Sequence, residues 1–202
     1  MKKKIIVAIC GASGSIYGVT LLRELLSRPV EVHVIISSDG NQVMTHELGY
    51  QNDLLEMIKT LFELDVHPDA QLIQHDINSF FSSPASGSFK HQGMVIVPCT
   101  MKTLAAVSAG LADNLIARAA DICLKEKRPL IIAPRETPFS TIHLENMLRL
   151  SNAGATILPA NPGFYFGPKT ILDLVEFIVG RILDQFGFSH NLTGEWNSET
   201  EV

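Results

Sequence analysis

Residues 5–15 read Ile5-Ile6-Val7-Ala8-Ile9-Cys10-Gly11-Ala12-Ser13-Gly14-Ser15. The first five are apolar, mostly β-branched, and offer no polar side for water, which is the composition of a strand buried on both faces in a parallel sheet. Gly11–Gly14 supplies a turn. Beyond it, Ile16, Val19, Leu22 and Leu26 recur on one face of a helix spanning Ser15–Leu26. Glycines let the backbone approach an anion closely, and a helix that follows points free N–H groups at it. The spacing is not the G-x-G-x-x-G of dinucleotide folds. Hydroxyls at Ser13 and Ser15 suit a terminal phosphate monoester, so the turn points to a phosphorylated cofactor of the FMN kind. Its plain alternative is an ordinary strand-to-helix turn. The five residues also approach the G-x-S-x-G nucleophile elbow, but Ser15 stands at the last glycine position.

Outward from this stretch the alternation continues. Val30–Ser37 reads as a strand, Asn41–Leu48 and Asp53–Leu64 as helices, and Leu72–His75 as a short strand. Phe80–Lys90 is a Ser/Pro/Gly-rich loop. Gly93–Pro98, Pro129–Ala133 and Ala155–Leu158 read as further strands. Met101–Ala109, Asn114–Lys125, Ile142–Asn152 and Ile171–Phe186 read as helices. This order predicts an α/β fold of the Rossmann-like, doubly wound kind, a mostly parallel sheet with helices on both faces. No repeat or linker divides the chain. Residues 1–186 are expected to form one flavin-binding domain and 187–202 a polar tail.

Bulk composition narrows the function. Hydrophobic residues make up 46% of the 202 and the formal net charge is -5, which argues against a nucleic-acid groove. Cys10, Cys99 and Cys123 form no disulfide framework, and Cys10 and Cys99 read as reduced residues at strand ends, as suits the cytoplasm. His46-Glu47 begins an HExxH motif, but Tyr50 replaces the second His, so no metal is expected. Lys2-Lys3-Lys4 before an apolar run imitates a signal peptide, yet the run is short and ends in a turn. No stretch is long enough for a membrane span.

Ligands of such sheets bind beyond the carboxyl ends of the strands. There the sequence places Ser37, Ser38 and Asp39, then Pro98-Cys99-Thr100-Met101-Lys102-Thr103, then Pro134-Arg135-Glu136-Thr137-Pro138. Ser37 and Thr100 read either as cofactor contacts or as helix caps, and Arg135 with Glu136 either as ligand contacts or as an ion pair. Phe164, Tyr165 and Phe166 expose three aromatics unless a flat π-system, an apolar substrate or a neighbouring subunit covers them. Trp196 needs similar shelter.

Taken in order, Gly11–Gly14, Pro84–Ser88, Pro98–Met101, Asn114–Arg118, Pro134–Pro138, Ser140–Leu148 and Pro162–Tyr165 resemble the flavin prenyltransferase family, long described as aromatic-acid decarboxylases of ubiquinone synthesis. The resemblance implies a flavodoxin-like fold. It also implies transfer of a dimethylallyl group from dimethylallyl phosphate to N5 and C6 of reduced FMN. The prenylated FMN would pass to a partner decarboxylase. It further implies a homo-oligomer, typically a dodecamer. Gly11, Ala12, Ser13, Ser37, Thr100, Met101, Lys102, Thr103 and Arg135 would contact FMN. Lys125, Tyr165 and Arg181 would grip the dimethylallyl phosphate, partly from a neighbouring subunit, and Trp196 would lie near the prenyl group. Ser13, Glu47 and Glu136 would serve proton transfers.

These residue types suit the chemistry. A leaving phosphate needs cationic donors, which Lys and Arg supply without a metal. Aromatic faces stabilise a developing allyl cation, and a carboxylate takes the proton lost on ring closure. Two alternatives remain open at this level: a flavin-dependent cysteine-type decarboxylase, whose PASANT segment is here Pro84-Ala85-Ser86-Gly87-Ser88, and a non-catalytic FMN-binding subunit of a decarboxylase. For Lys125 and Arg181 the plain alternative is a solvated helix face.

Overall fold

A computed structural model describes residues 2–192. Strand β1 (Lys3–Ile9) leads through α1 (Ser15–Leu26), β2 (Val30–Ile36), α2 (Ser38–Leu48) and α3 (Leu54–Phe62) to β3 (Gln71–His75). β4 (Met94–Cys99), α4 (Met101–Ser108), α5 (Leu115–Lys125), β5 (Leu130–Pro134), α6 (Thr141–Asn152), β6 (Thr156–Ile157) and α7 (Ile171–Gln185) follow. The strands form one sheet in the order β3-β2-β1-β4-β5-β6, and every neighbouring pair is parallel. Without edge strand β3 the order is that of flavodoxin-type sheets, and with it that of dinucleotide-binding ones.

The absence of polar residues from Ile5–Ile9 of β1 has a direct cause. Ile5, Val7 and Ile9 pack with α1 and α7 on one face, while Ile6, Ala8 and Cys10 pack with α4 and α5 on the other. A polar side chain on either face would lose its water without gaining a partner. Short polar residues then set the helix ends. Ser37 accepts from Gly40 N at 2.9 Å, so α2 begins three residues earlier than its apolar pattern suggests. Asn114 caps α5 in the same way, so the helix proper begins at Leu115. The last strand shrinks to two residues at the sheet edge.

One connection breaks the pattern. Between β3 and β4 the only helical element is a 3-10 turn, Ser83–Ala85, which lies against α5. Ile77, Ala85 and Phe89 cover the sheet there instead of a helix. At the amino end of the sheet the beginning and end of the described chain meet: Lys3 Nζ lies 4.4 Å from the centre of the Phe188 ring, and Arg28 donates to Ser189 O at 2.9 Å.

Candidate active site at the carboxyl ends of the strands

β1 and β4 are neighbours whose following helices cover opposite faces, so a crevice opens above them. Four strand ends deliver their loops to it, and backbone bonds fix their spacing. Cys10 N donates to Pro98 O at 3.2 Å, Ser37 N to Ile9 O at 3.0 Å, and Arg135 N to Cys99 O at 3.2 Å. Arg135 then reaches across, its Nε donating to Ser13 O at 2.9 Å. Glu136 follows, exposed, with its own Oε1 accepting from Thr137 N at 3.0 Å.

The first turn differs from its sequence reading in two respects. The Glu47 carboxylate, brought in by the last turn of α2, accepts from Gly14 N at 3.0 Å and Ser15 N at 2.9 Å. The amides expected to meet a phosphate therefore hold a side-chain anion. Burial raises the Glu47 pKa, but the Ser13 hydroxyl and the Ser15 and Gly14 amides outweigh it, holding the carboxyl below its ordinary value. Ser15 itself is fully buried, so its hydroxyl does not face a ligand, whereas Ser13 is exposed.

The remaining donors converge on the crevice. Thr100 Oγ1 caps α4, accepting from Thr103 N at 3.2 Å, and lies 3.1 Å from Thr103 Oγ1. Ser37 and Thr100 are thus helix caps; the Ser37 hydroxyl still has its proton to donate outward, whereas Thr100 gives its own to Thr103 Oγ1. The first amides of α4, at Met101 and Lys102, have no partner within the helix. Beneath them Cys10 Sγ donates to Thr103 Oγ1 at 3.4 Å, so the floor is a packed thiol–hydroxyl layer. Gly11 touches Asp39 so closely that a methyl group would lie 2.4 Å from Asp39 Cβ. This set fits FMN. Backbone approach at Gly11–Ser13, the hydroxyls of Ser13, Ser37 and Thr100, the α4 amides and the Arg135 guanidinium supply polar partners for a phosphate and a polyol chain.

Other predicted residues lie elsewhere. Lys125 ends α5, which returns the chain to the amino edge of the sheet, where it pairs with Glu126 at 3.5 Å. Arg181 sits in the last third of α7 and pairs with Asp184 at 2.9 Å. Within one chain, neither joins the crevice. Tyr165 lies in the loop after β6, edge-on to Phe166 and Phe177 at 5.9 and 5.8 Å. Phe164 and Tyr165 are 70% and 62% exposed, an apolar surface left open by the single chain. Trp196 lies outside the described residues. Among the described residues no cluster of His, Cys, Asp and Glu could hold a metal ion, and no helix is long and apolar enough to cross a membrane.

The Pro84–Ser88 segment gains a place that no residue role had given it. Gly87 lies against Lys125 and Glu126, where a methyl group would come within 3.0 Å of Glu126 Oε1. Arg128, which the sequence did not single out, donates to Gly87 O and Phe89 O, both at 2.6 Å. The Ser/Gly run was the available signal for the loop. Nothing local marked Arg128.

A doubly wound parallel sheet with a crevice at its switch point that FMN would fit is the architecture of many flavin-binding proteins, and residues 1–183 match the family described as Flavoprotein. Within it the chain belongs to the flavin prenyltransferases. It is 46% identical to the flavin prenyltransferase UbiX of Halalkalibacterium halodurans over 195 residues, covering 96% of this chain and 94% of that one. AnUbiX (PadA1), solved in complex with FMN and dimethylallyl pyrophosphate, superposes with a TM-score of 0.87 at 39% identity over 98% of this chain and 99% of that one. A dodecameric FMN-dependent UbiX-like decarboxylase from Escherichia coli O157:H7 gives 0.86 at 41% identity, covering 96% and 100%.

Proposed function

We infer that this chain transfers a dimethylallyl group from dimethylallyl phosphate to reduced FMN, forming a bond at N5 and closing a ring at C6. The crevice carries this reading: Arg135 is bonded to the Ser13 carbonyl beside Glu136, with Glu47 on the amides of the same turn. FMN is here a substrate. Gly11, Ala12, Ser13, Ser37, Thr100, Met101, Lys102, Thr103 and Arg135 hold it. Glu47, ionised through its three hydrogen-bonding neighbours, and exposed Glu136 flank Ser13 and move protons through its hydroxyl. No metal is needed, because the leaving phosphate meets Lys125, Arg181 and Tyr165.

Lys125 and Arg181 lie far from the crevice of their own chain, so they serve the crevice of a neighbouring copy. The exposed aromatics at 164–166 suit such an assembly, and we propose the dodecamer seen in the E. coli neighbour. Trp196 is proposed near the prenyl group. The product passes to a decarboxylase that uses it as cofactor; a cytoplasmic location is part of the proposal, and three free, buried cysteines support it. Anaerobic incubation with reduced FMN and dimethylallyl phosphate, followed by mass analysis of the released flavin, is expected to show one added prenyl unit. Unchanged flavin would overturn the reading in favour of a non-catalytic FMN-binding subunit.

A further inference from the structure

A polar cluster sits on the sheet face that the β3–β4 crossover covers. His33 Nε2 of β2 lies 2.7 Å from Glu31 Oε1, and His33 Nδ1 lies 2.8 Å from His75 Nε2 at the end of β3. The same Glu31 oxygen accepts from Lys4 Nζ of β1 at 2.9 Å. An ionised carboxylate only accepts, so His33 gives it the Nε2 proton and keeps Nδ1 as the acceptor for His75. The neutral pair is satisfied. One added proton is accommodated between Glu31 and His75 by a change of tautomer. A second would set two N–H groups against each other.

Phe89 connects this cluster to the crossover. Its ring meets His33 edge-on at 4.8 Å, lies 5.6 Å from His91, and has Lys4 Nζ 5.3 Å from its centre. Its carbonyl, with that of Gly87, is held by the fork of Arg128. Gly87 is the residue packed against Lys125, whose Nζ would lie 3.5 Å from a methyl group placed there. An unbroken line of contacts therefore runs from the histidine pair through Phe89 and Gly87 to Lys125.

We propose that Glu31, His33 and His75 are positioning residues: until the histidine pair takes up a second proton they seat the 76–92 crossover, and with it Gly87 against Lys125, so that acid unseats the loop and weakens the hold on the substrate phosphate. The last link rests on the function proposed above. The charges facing the pair favour it. Lys4 and Arg128 already oppose the single carboxylate of Glu31, and His33, His75 and His91 would add three more cations. Burial pushes all three histidines below the usual imidazole range, His91 to about 4. A histidine with a depressed folded pKa contributes stability that is complete above its unfolded value and lost as the pH falls towards the folded one.

Hydrogen exchange of the intact protein reads the loop without reference to catalysis. After correction for intrinsic rates, amides of 76–92 are expected to exchange about tenfold faster, or more, at pH 5 than at pH 7.5. The His33→Gln/His75→Gln pair keeps a donor and an acceptor but cannot charge, and should flatten that difference. If the pair does not fold, His75→Gln alone should reduce it. Equal exchange at both pH values in the wild type, or an undiminished difference in the folded variant, overturns the proposal. In turnover, KM for dimethylallyl phosphate should rise at low pH by more than kcat falls, and rise less in the variant. A flat KM beside a responsive loop also overturns it. An absence of prenyl transfer at every pH, with the loop still responsive, counts against the proposed function alone.

Discussion

At the carboxyl end of the sheet, four loops of one chain are bonded to each other. Arg135 holds Ser13 and Cys99, Ser37 holds Ile9, Cys10 holds Pro98, and Glu47 holds Gly14 and Ser15. Towards the amino end, Lys125 and Arg181 are half exposed and, among the described residues, pair with neighbouring carboxylates of their own helix ends, Glu126 and Asp184. Exposed pairs of this kind contribute about 0–1 kcal/mol, so a phosphate dianion can recruit both cations at little cost. On the proposed assignment, the residues for the flavin come together within one chain, while those for the substrate phosphate would act only where copies meet.

The strongest way to break this contrast is to mix defective chains. Lys125→Ala and Glu136→Gln chains should each be nearly inactive alone. Co-assembled in equal amounts they should recover about a quarter of wild-type activity, the share of sites that combine one intact half from each chain. No recovery in a mixed oligomer verified by native mass spectrometry would place both residues in one chain's site.

Substitution at the carboxyl end should act on FMN first. Gly11→Ala forces a methyl group to within 2.4 Å of Asp39 Cβ. Overpacking of this kind costs roughly 1–3 kcal/mol, so FMN should bind about tenfold more weakly or worse in a fluorescence titration. Unaltered affinity would show that the Gly11–Asp39 contact can relax without moving the crevice.

Arg181→Ala should do the opposite, keeping FMN binding while prenyl transfer falls about tenfold or more, since a charge-assisted hydrogen bond is worth roughly 1.5–3 kcal/mol. Stopped-flow rates at saturating dimethylallyl phosphate separate the transition-state loss from weaker ground-state binding. A wild-type rate would return Arg181 to the solvated face of α7.

The smallest effect concerns Glu47. Its folded pKa is depressed, so its bonds to the α1 amides add stability above the usual Glu pKa of about 4.3, and this is lost as the pH falls through the folded value. Glu47 is exposed and screened, so Glu47→Gln should lower Tm at pH 7 by only about 1–2 °C. The difference from wild type should close as the pH falls through that folded value, and calorimetry along an acid series tests both the sign and the size.

How far the sequence reached depended on whether a signal was local. Continuous apolar runs identified β1, β4 and β5, because a strand buried on both faces allows no polar residue. That Gly11, Thr100 and Arg135 lie beyond the carboxyl ends of strands followed from the alternation of strands and helices alone. Residues 38–40, by contrast, carry no apolar stripe, and only the hydroxyl of Ser37 turns them into the first turn of α2. Glu47 lies 33 residues from Gly14 and meets it only because α2 packs beside α1. No spacing rule foretells that a carboxylate, rather than a phosphate, occupies those amides. Arg128 and the Glu31–His33–His75 chain were hidden for a related reason. Each is a tertiary contact among residues that look ordinary one at a time.

The bare crossover between β3 and β4 has a consequence for dissecting the molecule. Every other strand-to-strand connection passes through a helix packed into the core. This one can be cut without severing a helix, and Phe81 within it is fully exposed. A break there divides the chain into halves of three strands each, and β1 of one half pairs with β4 of the other. Since the flavin crevice lies over that same pair, two such fragments would recreate it only by reassembling, which makes the protein a natural candidate for a split reporter whose signal is flavin capture.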